Sequence, residues 1–172
     1  MSLSMYAATV PPMRLMLKNL SVLMSKAQAH CEAKKIDPNA FLASRLYPDM
    51  LPFTKQIQIA SDTAKGAGAR LANVEIPKFD DDEATFADLQ ARIDKTVAFL
   101  DTLGAAQFEG ADSRMITLQL RDRALEFKGA DYLTTWATPN FFFHVTTAYA
   151  LLRHGGVEIG KTDYLAGSSA IK

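Results

Sequence analysis

Thr85-Phe-Ala-Asp-Leu-Gln-Ala-Arg-Ile-Asp-Lys-Thr-Val-Ala-Phe-Leu-Asp-Thr-Leu-Gly104 places apolar residues at Phe86, Leu89, Ile93, Val97, Leu100 and Leu103. That spacing of three and four is one face of a helix with 3.6 residues per turn. Both ends are marked chemically. Thr85 and Asp88 have the three-residue separation of a capping box, in which each side chain satisfies the other residue's backbone N–H, and Gly104 is a suitable stop. The same period recurs on both sides of this stretch. It runs from Met13 through Met16, Leu17, Leu20, Leu23, Met24, Ala27 and Cys31. It returns at Phe53, Ile57, Ala60, Ala64, Ala67 and Leu71, and again at Phe141, Val145, Ala148 and Leu152. Four long amphipathic helices in 172 residues predict an all-α bundle.

The segments between these helices carry boundary chemistry. Pro11 and Pro12 either open the first helix, since proline suits a first turn, or kink one that already begins near Ser4, and the kink is the preferred reading. Asp37-Pro38 and Tyr47-Pro48 mark a connection with one short turn between Pro38 and Ser44. Asp49 can cap the second helix, with Pro52 in its first turn. This helix narrows to small side chains at Ala64, Gly66, Ala67, Gly68 and Ala69, which would let another helix, or a second copy of the chain, approach closely. Between the third and last helices the period changes to two. Ile116, Leu118 and Leu120, then Leu125 and Phe127, alternate with polar residues around Arg121-Asp122-Arg123, which predicts a short β-hairpin. Asp131 can cap the last helical region, Thr138-Pro139 gives a second cap or a kink, and Gly155-Gly156 ends it. An irregular tail follows from about residue 157. No repeat or low-complexity linker divides the chain, so residues 1–172 read as one domain.

Composition narrows the function. Apolar residues make up 48% and charged residues 22%, and 19 basic side chains balance 19 acidic ones. The chain is therefore expected to fold, and it lacks the basic field that gathers nucleic acid. The longest apolar runs fall well short of the roughly 20 residues that span a membrane. A single cysteine, Cys31, and no signal-peptide pattern at the N-terminus fit a cytoplasmic protein.

Three histidines are candidates for proton or metal chemistry. His30 and Cys31 point about 100° apart on a helix and make a poor catalytic pair, so Cys31 reads as core. His154, in the last turn of its helix, complements the helix dipole. His144 sits beside an apolar stripe with Asn140 one turn before it and Thr147 one turn after, a polar ladder near the bundle interior. Gln56 borders the apolar face of the second helix, and Asp62 reads as one half of a surface ion pair. Tyr132, Trp136, Phe141, Phe142, Phe143 and Tyr149 are dense enough to line a pocket or to fill a core. No nucleophile elbow, phosphate loop, dinucleotide fingerprint or paired-cysteine knuckle is present.

Three blocks carry a resemblance: Arg45-Leu-Tyr-Pro-Asp-Met50, Phe53 to Arg70, and Pro139-Asn-Phe-Phe-Phe-His-Val-Thr-Thr-Ala-Tyr-Ala-Leu-Leu-Arg-His-Gly-Gly-Val-Glu-Ile-Gly-Lys161. They resemble a bacterial family of unknown function within the DinB-like (DinB/YfiT) superfamily. The resemblance implies an antiparallel four-helix bundle with a long crossover. It also implies kinship with metal-dependent enzymes, among them thiol-cofactor transferases, that often form homodimers. The superfamily's metal site takes one histidine from the second helix and a His-x-x-x-His pair from the last, the second of which precedes an arginine by nine residues. His144 precedes Arg153 by nine and matches that second histidine. The first falls on Asn140, and Gln56 is the best placement on the second helix. Zinc and nickel favour nitrogen and sulfur donors over amide oxygen, so one histidine and two amides make a poor site.

These readings lead to an expectation of a small-molecule-binding bundle with a degenerate metal site, its pocket formed by His144, Asn140, Gln56, Trp136 and Tyr149. Two alternatives stand beside it. One is a divalent-metal-dependent hydrolase or thiol-dependent transferase with His144 as a ligand, and the other is a structural or partner-binding homodimer.

Overall fold

The computed structural model describes residues 3–167. In chain order its elements are α1 (Met5–Lys34), a short α2 (Pro38–Leu42), α3 (Phe53–Ala72) and α4 (Phe86–Asp101). There follow a 3₁₀ turn (Ala105–Phe108), strands β1 (Met115–Gln119) and β2 (Ala124–Lys128), and α5 (Gly129–Asp131). α5 runs through a π-helical turn (Tyr132–Ala137) into α6 (Thr138–His154), and α7 (Lys161–Ala166) closes the described chain. Among these residues no helix is long and apolar enough to cross a membrane.

Cross-helix pairs give the topology. Gln56 meets His144, Thr63 meets Asn140 and Arg70 meets Tyr132, so α3 and α6 run antiparallel. Phe53 packs on Phe86 and Asp62 pairs with Arg92, so α3 and α4 run parallel, joined by the long crossover 73–85. Arg14 meets Asp101 while Gln90 meets Ser21, so α1 is antiparallel to α4. The result is the four-helix bundle with a long crossover and one hairpin. Its core is built from the apolar faces read above, with Leu17, Leu20, Met24, Ile57, Leu71, Leu89, Phe141 and Leu152 fully buried. In the hairpin, Ile116 opposes Phe127 and Leu118 opposes Leu125, which turns the apolar alternation of β1 inward.

Several local expectations hold. Ser4 caps α1, Pro11 and Pro12 lie within it, and Thr85 and Asp88 form the capping box of α4. Others need correction. Pro52, not Asp49, occupies the cap position of α3, and it makes no side-chain cap bond; the backbone N–H of Phe53 is met instead by the carbonyl of Ser44. Asp131 has helical geometry inside the last helical region, which starts after Lys128. The segment from 157 is not all irregular, since α7 lies against α1, where Asn19 donates to the carbonyls of Tyr164 and Leu165 at 3.0 and 2.9 Å. Residues 168–172 lie outside the described residues. The small-residue face of α3 is consumed within the fold, because a Cβ on Gly68 would lie 2.8 Å from Leu103 and 2.9 Å from Leu100.

Two contacts fix the parts that shape the site. The Gly129 backbone lies so close to the turn before β1 that a Cβ there would stand 1.8 Å from the carbonyl oxygen of Ala111. Arg92, only 1% exposed, holds the crossover. Its Nη1 donates to Glu83 at 2.8 Å and to the carbonyl of Asp80 at 2.9 Å, and its Nη2 pairs with Asp62 at 2.9 Å and Asp81 at 3.1 Å. Burial alone would raise the Glu83 carboxyl, but hydrogen bonds from Arg92 and Gln58 hold it below its ordinary value. Asp81 is likewise lowered, chiefly by the hydrogen bond from Lys55.

Truncating Arg92 strands a buried carboxylate, so Arg92→Ala is expected to lose about 3–5 kcal/mol of unfolding free energy in urea titrations. Groups with depressed folded pKa values contribute stability that is complete above their unfolded values and is lost as the pH falls through the folded ones. The wild-type urea midpoint should therefore fall below about pH 4.5 more steeply than that of Arg92→Met. Gly129→Ala should lower the melting temperature although alanine is the better helix former, because the neighbour it meets is backbone and cannot swing away.

Candidate functional site

A polar seam runs down the α3–α6 interface, and its residues on α3 are Gln56, Thr63 and Arg70, seven apart and hence on one face. Each meets a partner on the antiparallel chain. At the first rung, the buried Gln56 donates from Nε2 to the Leu51 carbonyl at 2.9 Å and accepts through Oε1 from His144 Nδ1 at 2.7 Å. A carbonyl can only accept, so the Leu51 bond fixes which end of the amide faces the histidine, and Nδ1 must carry the proton. Burial pushes the His144 pKa down. The ring is therefore neutral, with its lone pair on Nε2.

At the second rung Asn140 Nδ2 donates to Thr63 Oγ1 at 3.0 Å, which leaves the threonine proton and the asparagine oxygen without partners among the described residues. At the third rung Arg70 Nη1 donates to the Tyr132 hydroxyl at 3.3 Å. Burial pushes the Tyr132 phenol up, against the opposing pull of Arg70, so it keeps its proton.

The backbone above this seam is unusual. Pro139 has no N–H to offer the carbonyl of Thr135, and its ring would crowd that carbonyl in a regular helix. The chain widens into the π-helical turn Tyr132–Ala137, where the Thr138 N–H reaches back five residues to the Leu133 carbonyl. Thr134 and Thr135 satisfy the carbonyls of Ala130 and Asp131 through their hydroxyls at 2.8 and 2.7 Å. Turns of this kind recur at functional sites.

Between α3, the hairpin and this turn lies a cavity of about 270 Å³. Thr63, Arg70, Tyr132, Trp136 and Asn140 line it, with Leu118 and Leu120 as apolar wall. Asp62 also reaches it, but its carboxylate is held by Arg92 and by Lys65, each at 2.9 Å.

The structure thus divides the residues singled out from sequence. Trp136 and Asn140 line the cavity, whereas Gln56 and His144 bond to each other outside its lining. Tyr149 packs edge-on against Tyr164 of α7. Thr147 turns its hydroxyl back to the Phe143 carbonyl. Of the aromatic group, Phe141 is core and Phe143 is 55% exposed. Arg70 and Arg92 were not singled out. Arg70 continues the seven-residue spacing of Gln56 and Thr63, and Arg92 stands beside Leu89, Ile93 and the polar Thr96 on the buried face of α4.

The donor set does not fit a metal ion. His144 offers one imidazole nitrogen, Gln56 has its oxygen on the proton of the opposite ring nitrogen, and Asn140 belongs to the next rung. Among the described residues no three His, Cys, Asp or Glu side chains could hold a metal ion together.

Bundle, crossover and seam define a DinB-like four-helix domain, and the comparisons agree. The model of the domain of unknown function DUF1993 matches residues 5–165, and the chain belongs to that family. A crystal structure of a DinB family member from Shewanella denitrificans superposes with a TM-score of 0.90 at 42% identity, covering 97% of this chain and 94% of that one. No curated protein sequence matches the chain.

Gln56→Leu would leave the His144 Nδ1–H buried without an acceptor, and is expected to lose about 1–3 kcal/mol of stability in chemical denaturation. Because the folded protein disfavours the charged ring, the stability that neutral His144 contributes is complete above pH 6.5 and declines as the pH falls below it. An NMR titration should place His144 below the ordinary histidine value.

Proposed function

We propose that this protein is a cytoplasmic small-molecule-binding bundle whose ligand occupies the cavity between α3, the hairpin and the π-helical turn. One observation carries the reading. Hydrogen-bonding groups from both helices, Thr63, Arg70, Tyr132 and Asn140, converge on an aromatic and aliphatic wall made by Trp136, Leu118 and Leu120. Ligand sites combine an apolar lining with a few placed polar groups in this way. At about 30 Å³ per displaced water, the cavity takes a ligand of roughly one substituted ring. The metal-dependent reading has no matching support in the donor set of His144, Asn140 and Gln56. Their role here is to hold α3 and α6 in register, which fixes the distance between the cavity walls.

A screen of charged and neutral ring-sized fragments should find compounds that shift the indole N–H resonance of Trp136, the one tryptophan of the chain. Gln119→Phe, on an exposed strand position at the cavity rim, should weaken them by obstruction. A screen without such shifts, or hits indifferent to Gln119→Phe, would sink the proposal.

A further inference from the structure

We infer that the cavity selects a planar organic carboxylate, with its anionic head at Arg70 and Tyr132 and a hydrogen-bonding group at the far end, near Thr63 and Asn140. This rests on the binding reading above and adds the ligand's charge and shape.

Charge comes first. Among the described residues Arg70 has no carboxylate partner within ion-pair distance, in a protein where buried Arg92 gathers three. The one acid in the cavity lining, Asp62, already faces two cations. An anion entering here therefore meets a guanidinium whose charge is not already answered, and a guanidinium matches a carboxylate through two parallel N–H donors.

The second observation is the phenol beside it. Tyr132 is 2% exposed, accepts from Arg70, and has no acceptor for its own proton among the described residues. A buried O–H without a partner carries a desolvation cost that a ligand oxygen would remove. Arg70 and Tyr132 thus present adjacent donors into one cavity.

The third is that the guanidinium has a seat. Arg70 folds back along α3 over Gly66, where a Cβ would lie 2.3 Å from Nη1. Glycine at 66 costs helix stability relative to alanine, and its absent side chain leaves the space that the guanidinium fills.

Shape follows from the helix. The Arg70 guanidinium, seated over Gly66, lies three residues from Thr63, about 4.5 Å along α3 at roughly 1.5 Å per residue. Between them the wall is Trp136, with Leu118 and Leu120. A flat ring bearing a carboxylate and a hydroxyl fits between these two groups and lies on the indole. The Thr63 hydroxyl then donates to that hydroxyl's oxygen, and the Asn140 oxygen accepts its proton.

Trp136 fluorescence makes the test direct, with 4-hydroxybenzoate and its neutral analogue 4-hydroxybenzamide as probes. The wild type should show a saturable change with 4-hydroxybenzoate at concentrations at least tenfold lower than with the amide. Arg70→Gln should abolish that preference. Gly66→Ala keeps Arg70 but displaces its guanidinium; it should weaken 4-hydroxybenzoate at least threefold without lowering the melting temperature, an effect that general loss of structure would not give. Equal response to acid and amide, or a preference that survives Arg70→Gln, overturns the anion assignment and leaves the cavity reading standing. No saturable response to either probe overturns the assignment too, and the fragment screen then judges the cavity reading separately.

Discussion

A guanidinium removed from water must be surrounded by acceptors, and the demand of Arg92 organises one whole side of this molecule. Its partners come from α3, through Asp62, and from the crossover, through Asp80, Asp81 and Glu83. Helices α3 and α4 run parallel, so the chain between them has to travel the length of the bundle. Of the apolar side chains in this connection, Val74 packs against the core, and Ile76, Pro77 and Phe79 are only partly buried. Arg92 supplies the anchor by charge, and the cluster is kept near neutrality by Lys65 on Asp62 and Lys55 on Asp81. The Lys65 ammonium also lies 4.0 Å over the ring of Phe79, which adds a cation–π contact from the same loop.

The effect reaches the opposite face of α3. Asp62 lies on the edge of the cavity and would be the natural partner for Arg70, eight residues along α3 in the same lining. Held by Arg92 and Lys65, it is taken out of that competition. The electrostatic character of the cavity is thus set by a cluster that belongs to the scaffold, and the seam residues Gln56, His144, Thr63 and Asn140 complete its geometry by locking two antiparallel helices at fixed register. Side chains that hold the scaffold together, Asp62, Thr63 and Asn140 among them, thus also line the cavity.

Much of the bundle was legible in the sequence because apolar spacing of three and four survives any detail of packing, as did the Thr85–Asp88 cap and the hairpin. Caps read from a single residue fared worse. Asp49 and Asp131 have the right chemistry but not the right backbone, since the carbonyl of Ser44 serves Phe53 and the helical turn starts before Asp131. Helix α7 is too short to show a period, and it docks on α1 through Asn19 and Lys26, more than a hundred residues away. Asn140, read from the polar ladder with His144, and Trp136, read from the aromatic group, both line the cavity. Arg70 escaped because arginine near a helix C-terminus has an ordinary explanation in the helix dipole. The exchange of a bond between Gln56 and His144 could not be read from either residue alone, as it depends on the register of two helices.

The widened turn before Pro139 bears on how this architecture can diversify. A residue added to a helix turns everything on one side of it by about 100° relative to the other. Tyr132 and the chain leading into it therefore face α3 at an angle set by the extra residue in the turn, while α6 and its rungs stay where they are. A one-residue deletion there would turn the buried Tyr132 and Leu133 out of their present packing and bring a different side chain over Arg70. Within such a scaffold, chain length at a single turn sets which side chain faces Arg70, and the cost of changing it falls on the packing of Tyr132 and Leu133.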